Sequence, residues 1–158
     1  MNTYLLIKWA HILSSVLMVG TGLGSAFYMF FTNRSGSVVA QAVVSKLVVR
    51  ADWRFTTPTV IIQPISGIAM MHMAGWPLTS PWLMTSMALY VLAGACWLPV
   101  VWLQLRMARL AEQAHAQGTA MPERYWRDAR LWEALGYPAF VAMAVVFFLM
   151  VNKPALWG

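Results

Sequence analysis

Four stretches of this sequence carry no Asp, Glu, Lys or Arg: residues 9–31, 55–75, 82–105 and 134–152. A helix needs about 20 apolar residues to cross a hydrocarbon core of about 30 Å, and each stretch is near or beyond that length. A charged side chain at the centre of such a helix costs about 2.5–3.5 kcal/mol, so its exclusion from all four carries weight. In lipid the backbone must satisfy its own hydrogen bonds, which a helix does within one segment. The sequence therefore predicts an all-α, integral membrane four-helix bundle, multi-pass, with residues 1–158 forming one transmembrane domain in a lipid bilayer. The first stretch exceeds the apolar run of about 7–15 residues in a secretory signal, so it reads as a permanent helix.

Composition supports this reading. Sixty per cent of the residues are apolar and 10% are charged, against about 25% charged in a soluble domain. The formal charge of +6 would suggest nucleic acid in a soluble chain, but here the basic residues sit between the spans. Arg34, Lys46, Arg50 and Arg54 occupy the basic loop 32–54, and Arg106, Arg109, Arg124, Arg127 and Arg130 the basic loop 106–133. The turn from Trp76 to Pro81 has no Lys or Arg. By the positive-inside rule both basic loops face the cytoplasm and both termini face the outer side. Nucleic-acid binding is excluded on the same ground.

Aromatic residues fall at the expected boundaries. Tyr4, Trp9, Trp76, Trp82 and Trp157 are placed at the outer interface, and Trp53, Tyr125, Trp126 and Trp132 at the inner one. The segment from Val38 to Arg54 extends the second helix inward or lies in the interface, with Ser37 as its cap. The third helix continues through Arg106 to Gln117 and ends at Gly118. Cys96 is the one cysteine, which precludes an intrachain disulfide; mid-span, it reads as packing.

Inside the spans a few residues stand out. His11, Ser14, Ser15, Met18, Gly22 and Ser25 recur at helical spacing, so this face points into the bundle. Gly20 and Gly24 form a small-xxx-small pair that predicts close helix approach. An ionisable residue at membrane depth marks a functional candidate, and neutral imidazole is a haem and metal ligand; His11 qualifies on both counts, against a plain hydrogen-bonded histidine. In the second span Pro58 and Pro64 predict a bend, while Thr59, Gln63, Ser66 and Gly67 make a polar or small stripe. His72 ends up near the same membrane face as His11 but about half a turn out of phase with Gln63. Met70, Met71 and Met73 flank it; thioether with imidazole suits Cu(I), and methionine is equally a filler of apolar space. Arg50, Arg54, Arg127 and Arg130, beside Asp52, Asp128 and Glu133, suit anionic head groups or carboxylates, or simple ion pairs. No phosphate-binding glycine loop, HExxH or GxSxG motif is present.

Lys8-Trp9-Ala10-His11-Ile12, Thr57-Pro58 ahead of Gly67, Pro81-Trp82-Leu83, Trp97-Leu98-Pro99 and Lys153-Pro154 together resemble an uncharacterised family of bacterial predicted integral membrane proteins. The resemblance covers nearly the whole chain and implies the bacterial inner (cytoplasmic) membrane, with periplasmic termini. More distantly, the landmarks are similar to HemJ-type protoporphyrinogen IX oxidase and to CopD-type copper-resistance membrane proteins. The oxidase resemblance implies that His11 is a haem ligand and gives Arg50 and Arg54 counterparts there. Ser86 stands where that family has an essential lysine, which speaks against the oxidase activity.

The leading expectation is a membrane haem-b protein of redox type. His11 is one axial ligand, His72 or Met18 the second, and a quinone, a porphyrinogen-like substrate or a membrane redox partner exchanges electrons with it. The first alternative is copper handling through His72, Met70, Met71 and Met73. The second is a non-enzymatic membrane subunit or scaffold without cofactor, and a homodimer would bury the polar stripes.

Overall fold

The computed structural model describes residues 2–156; Trp157, assigned above to the outer interface, lies outside the described residues. Among these the regular structure is helical throughout: α1 Thr3–Arg34, α2 Val38–Ala51, a π-helical turn Asp52–Thr56, α3 Thr57–Ala74, α4 Pro81–Gln117 and α5 Glu123–Asn152. Local chemistry explains the ends. The Asn2 side chain accepts from the Tyr4 N–H, and Ser37 Oγ accepts from the Ala40 N–H, as an N-cap should. Gly75 and Gly118 close α3 and α4 at φ 67° and 63°, where a side chain would be strained.

Three helices, α1, α4 and α5, are long and apolar enough to cross a membrane. The second predicted span falls on α3, an 18-residue helix that is not among them. Gln63, His72, two prolines and two threonines dilute its apolar character.

The two basic loops are mostly helix. Residues 38–51 form α2, which runs without a break through the π-helical turn into α3. That turn lies just ahead of Pro58, whose missing N–H deprives the Arg54 carbonyl of its usual helical partner. The wider turn instead has the Thr57 N–H donating to the Asp52 carbonyl. Past its apolar stretch α4 continues to Gln117, and α5 begins at Glu123, leaving a short connection. At about 1.5 Å per residue α4 is about 55 Å long, well beyond a hydrocarbon core.

The largest buried cluster lies in this extension rather than in the apolar stretches. Met29, Val48, Leu103, Met107, Tyr125 and Trp132 are buried together where α2, α4 and α5 meet the end of α1. Trp132 and Tyr125 are thus core residues and not an interfacial belt, and so is Trp82, buried against Met71 and Leu83 at the outer end. Their size and their position on inward helix faces outweigh the aromatic preference for the interface. Trp9, Trp53 and Trp76 are exposed.

Polar ties hold the extension. Tyr125 Oη donates to Asn33 Oδ1 at 2.6 Å, and Gln41 Nε2 donates to the Asn33 carbonyl at 3.2 Å. Burial pushes the Tyr125 phenol well above its usual range, so it stays a donor. Arg106 engages both carboxylate oxygens of Asp128, Arg34 pairs with Glu133, and Lys46 pairs with Glu112.

Within the apolar layer the helices form two pairs, α1 with α3 and α4 with α5, while α1 and α5 hardly touch. Gly20 and Gly24 do not mediate the close approach expected of them. A Cβ at either position would meet nothing within 4 Å.

Candidate functional site

Two features emerge from this packing: a pinned histidine between α1 and α3, and a cavity between the two helix pairs. The stripe of Thr59, Gln63 and Ser66 is buried and faces α1. Gln63 Nε2 donates to the His11 carbonyl at 2.8 Å and to Ser14 Oγ at 2.6 Å. Ser66 Oγ donates to the Ile62 carbonyl at 2.6 Å and lies 2.8 Å from His11 Nδ1. The direction of the ring–hydroxyl bond follows the imidazole tautomer; a serine proton held by the Ile62 carbonyl requires Nδ1–H and a bare Nε2. Gly67 completes the seat: a Cβ there would sit 3.5 Å from His11 Cε1, in ordinary contact.

The other proposed ligands are not brought to this ring. His72 is exposed, as its helical phase from Gln63 implies, and the proline bend does not turn it inward. Met18 lies two turns along α1 from His11, about 10 Å along the axis, and lines the cavity instead. Met70, Met71 and Met73 diverge: Met71 packs against Trp82 and Leu83, while Met73 is exposed. Among the described residues no group of three or more His, Cys, Asp or Glu is placed to hold a metal ion. Ser86 is buried with its hydroxyl donated to the Trp82 carbonyl, and Cys96 is a lone half-buried thiol.

The cavity has a volume of about 440 Å³, within the range of about 300–1,000 Å³ typical of ligand sites. Its walls come from α1, α4, α5 and the π-helical turn, with Val60 of α3. Three glycines on three different helices open it: Gly22, Gly94 and Gly136 all line the space, and a Cβ at any of them would meet nothing within 4 Å. Leu23, Phe27, Tyr137 and Phe140 line it and are exposed, so the mouth lies between α1 and α5.

Its end beside the π-helical turn is polar. Asp52, Thr56, Gln104, Trp132 and Glu133 meet there, at the level of the basic segments. Thr56 Oγ1 donates to Asp52 Oδ1 at 2.9 Å, and the carboxyl lies beside the Gln104 side chain. Asp52 precedes the second span by three residues; burial pushes its carboxyl above the usual range, offset in part by those two contacts. It makes no ion pair among the described residues. Glu133 is engaged by Arg34.

The basic residues expected beside the acids mostly stand apart. Arg50, Arg54, Arg127 and Arg130 are exposed, and the acids they were matched with are paired elsewhere or unpaired. The cavity and its glycine walls were missed by the sequence reading. Gly22 belongs to the stripe expected to face the bundle, whereas nothing in the sequence says which way Gly94 and Gly136 face.

Residues 5–154 match the family described as predicted integral membrane protein (DUF2269). The chain belongs to this family. It is accordingly a multi-pass integral membrane protein, in agreement with its three long apolar helices. The match covers α1 to α5, including His11 and every residue that lines the cavity. No curated protein and no solved structure matches the chain.

Proposed function

We propose that this protein binds a lipid-soluble small molecule inside the bilayer, in the cavity between α1, α4 and α5. The observation that carries the reading is the trio Gly22, Gly94 and Gly136. In a membrane helix a glycine is commonly used to bring two helices together; here three face empty space around one volume. A Cβ added at any of them would meet no other atom within 4 Å. The α1–α5 gap gives access from the lipid, and the polar inner end gives the occupant a direction.

In this reading α3 is the fourth span. Its polar stripe is covered by α1, its N-terminal end joins the basic inner extension, and both termini are periplasmic. The basic segments of α2, α4 and α5 then face the cytoplasm of a bacterium.

A small apolar diazirine probe tests the reading. On illumination it should label the segment 90–104 saturably, and Gly94→Leu should remove that labelling while general labelling of exposed residues persists. Uniform, non-saturating labelling indifferent to Gly94→Leu would contradict the cavity as a site.

A second reading, haem b on His11, is favoured by the Nδ1–H···Ser66 bond. Metal-bound histidines characteristically donate their other ring nitrogen to a fixed partner, which orients the ring. The residues fit one half of such a site, because neither His72 nor Met18 is placed to provide a second ligand; a haem held here would be redox-active with one ligand from this chain. The likeness to the HemJ-type oxidase rests on sequence landmarks alone. A dithionite-reduced minus oxidised spectrum of the detergent-purified protein should show haem bands that His11→Ala abolishes. A flat spectrum from protein made with ample haem would remove this reading.

A further inference from the structure

We propose that the occupant of the cavity is an anionic lipid, whose oxyanion head, a phosphate or carboxylate, is held by Arg34 and Arg130 at the charged end of the α1–α5 gap, and whose chain enters the cavity through that gap. This rests on the cavity reading above and names the chemistry of the head.

A cation sits on the rim of the apolar space. Arg34, at the end of α1, donates through Nη1 and Nη2 to the two carboxylate oxygens of Glu133 on α5, at 3.1 and 3.3 Å. Its guanidinium lies 3.3 Å from the centroid of the Phe30 ring. Phe30 and Glu133 both line the cavity. Glu133 also lines a second cavity of about 230 Å³, together with Asn33, Arg34, Trp126, Ala129 and Arg130. The two spaces thus share a wall. One is apolar, and the other carries two guanidinium groups against one carboxylate.

Both arginines have capacity left. A guanidinium has five N–H donors. Arg34 uses two on Glu133 and one on the Phe30 carbonyl, at 3.2 Å, which leaves Nε–H and one Nη2–H. Its side chain is 51% exposed, so an anion has access to it. Arg130 is exposed and makes no ion pair among the described residues. The acids at this end do not cancel that charge: Glu133 is matched by Arg34, and burial drives Asp52 toward its neutral form.

The depth is that of a lipid head. Arg34 follows the uncharged stretch of α1 by three residues and Arg130 precedes that of α5 by four, about 4–6 Å along the axis. The polar layer that borders the hydrocarbon is about 5–7 Å thick. Guanidinium matches the oxygens of phosphate and carboxylate with charge-assisted bonds. A bare chain would fill the cavity and leave the second space unused, whereas an anionic head on a chain engages both. Basic residues at an interface attract anionic lipid in general; the apolar space beside these two is what makes a site, so the readout must come from inside it.

The experiment is competition against the apolar diazirine on the full-length, detergent-solubilised protein, read as labelling of the segment 90–104. Phosphatidylglycerol should displace the probe at a concentration about tenfold below that of phosphatidylcholine with the same chains, as one charge-assisted contact provides. Oleate against methyl oleate asks the same of a carboxylate. An advantage for phosphatidylglycerol assigns a phosphate head and one for oleate a carboxylate head; either supports the site. Arg34→Gln/Arg130→Gln should abolish the advantage, and the exposed change Arg109→Gln should leave it intact. Arg130→Gln alone breaks no ion pair of the fold and should still reduce the advantage about threefold or more. Melting temperatures taken in parallel identify a variant that has merely unfolded. Equal displacement by charged and neutral lipids, or an advantage that survives both arginine variants, overturns the anionic assignment and leaves the cavity reading intact. Absence of saturable labelling in the wild type overturns both.

Discussion

His11 Nδ1 lies 2.8 Å from the hydroxyl of Ser66, whose oxygen is also 2.6 Å from the carbonyl of Ile62. The contact crosses from α1 to α3, and a serine proton held by the Ile62 carbonyl requires the Nδ1–H tautomer of this histidine. Nitrogen-15 NMR of the imidazole should report the Nδ1–H form in the wild type. Ser66→Ala should redistribute the tautomers and lower stability by about 1 kcal/mol, the net worth of an ordinary hydrogen bond. An Nε2–H signal in the wild type would contradict the assignment.

Arg106 grips both oxygens of Asp128 across the α4–α5 pair; the two side chains are 19% and 3% exposed. Removing one partner leaves a buried charge uncompensated. Asp128→Ala should therefore destabilise the protein by about 3–5 kcal/mol, and the double change Arg106→Met with Asp128→Leu should recover most of the loss. Denaturant titration of the detergent-solubilised variants checks both parts; an Asp128→Ala within about 1 kcal/mol of wild type would show that the pair contributes little.

Topology has a direct test. In a Cys96→Ala background, Thr79→Cys in the α3–α4 turn should react with a membrane-impermeant maleimide in intact cells. Gln117→Cys, at the far end of α4, should react only after permeabilisation. The opposite pattern would invert the chain, and labelling of both from outside would remove α3 or α4 as a span.

Much of this architecture is legible in the sequence, for physical reasons that also mark its limits. Uncharged runs locate the helices because lipid penalises charge, and Ser37 and Gly118 mark helix ends because caps depend on local chemistry. The buried stripe of Thr59, Gln63 and Ser66 follows from helical spacing alone. What spacing does not supply is the rotation of one helix against another. Asp128 sits among Arg124, Arg127 and Arg130 in sequence, yet its partner is Arg106 from the neighbouring helix. His72 is near His11 in depth and faces elsewhere. Gly22, on the stripe expected to face the bundle, lines the cavity, while Gly20 and Gly24, expected to bring helices together, do not. Tyr125 and Trp132, natural interface residues by type, are core because they lie where α5 packs on α4 and the end of α1, in one cluster with Met29, Leu103 and Met107.

The glycines also set a stability trade-off. Glycine in a helix interior is about 0.8–1 kcal/mol less favourable than alanine, and at Gly94 and Gly136 a side chain has room. Alanine at both positions should raise the melting temperature in detergent. An unchanged or lower value would mean that the open space is needed for the fold rather than for an occupant.

Native mass spectrometry of the protein released from its own membranes, compared with the Gly94→Leu/Gly136→Leu variant, tests the central claim most directly. The cavity reading predicts a discrete bound mass of a few hundred daltons on the wild type that is lost in the variant, with the variant melting at or above the wild-type temperature. A wild type that flies without an adduct, or a variant that keeps the same adduct, would contradict it.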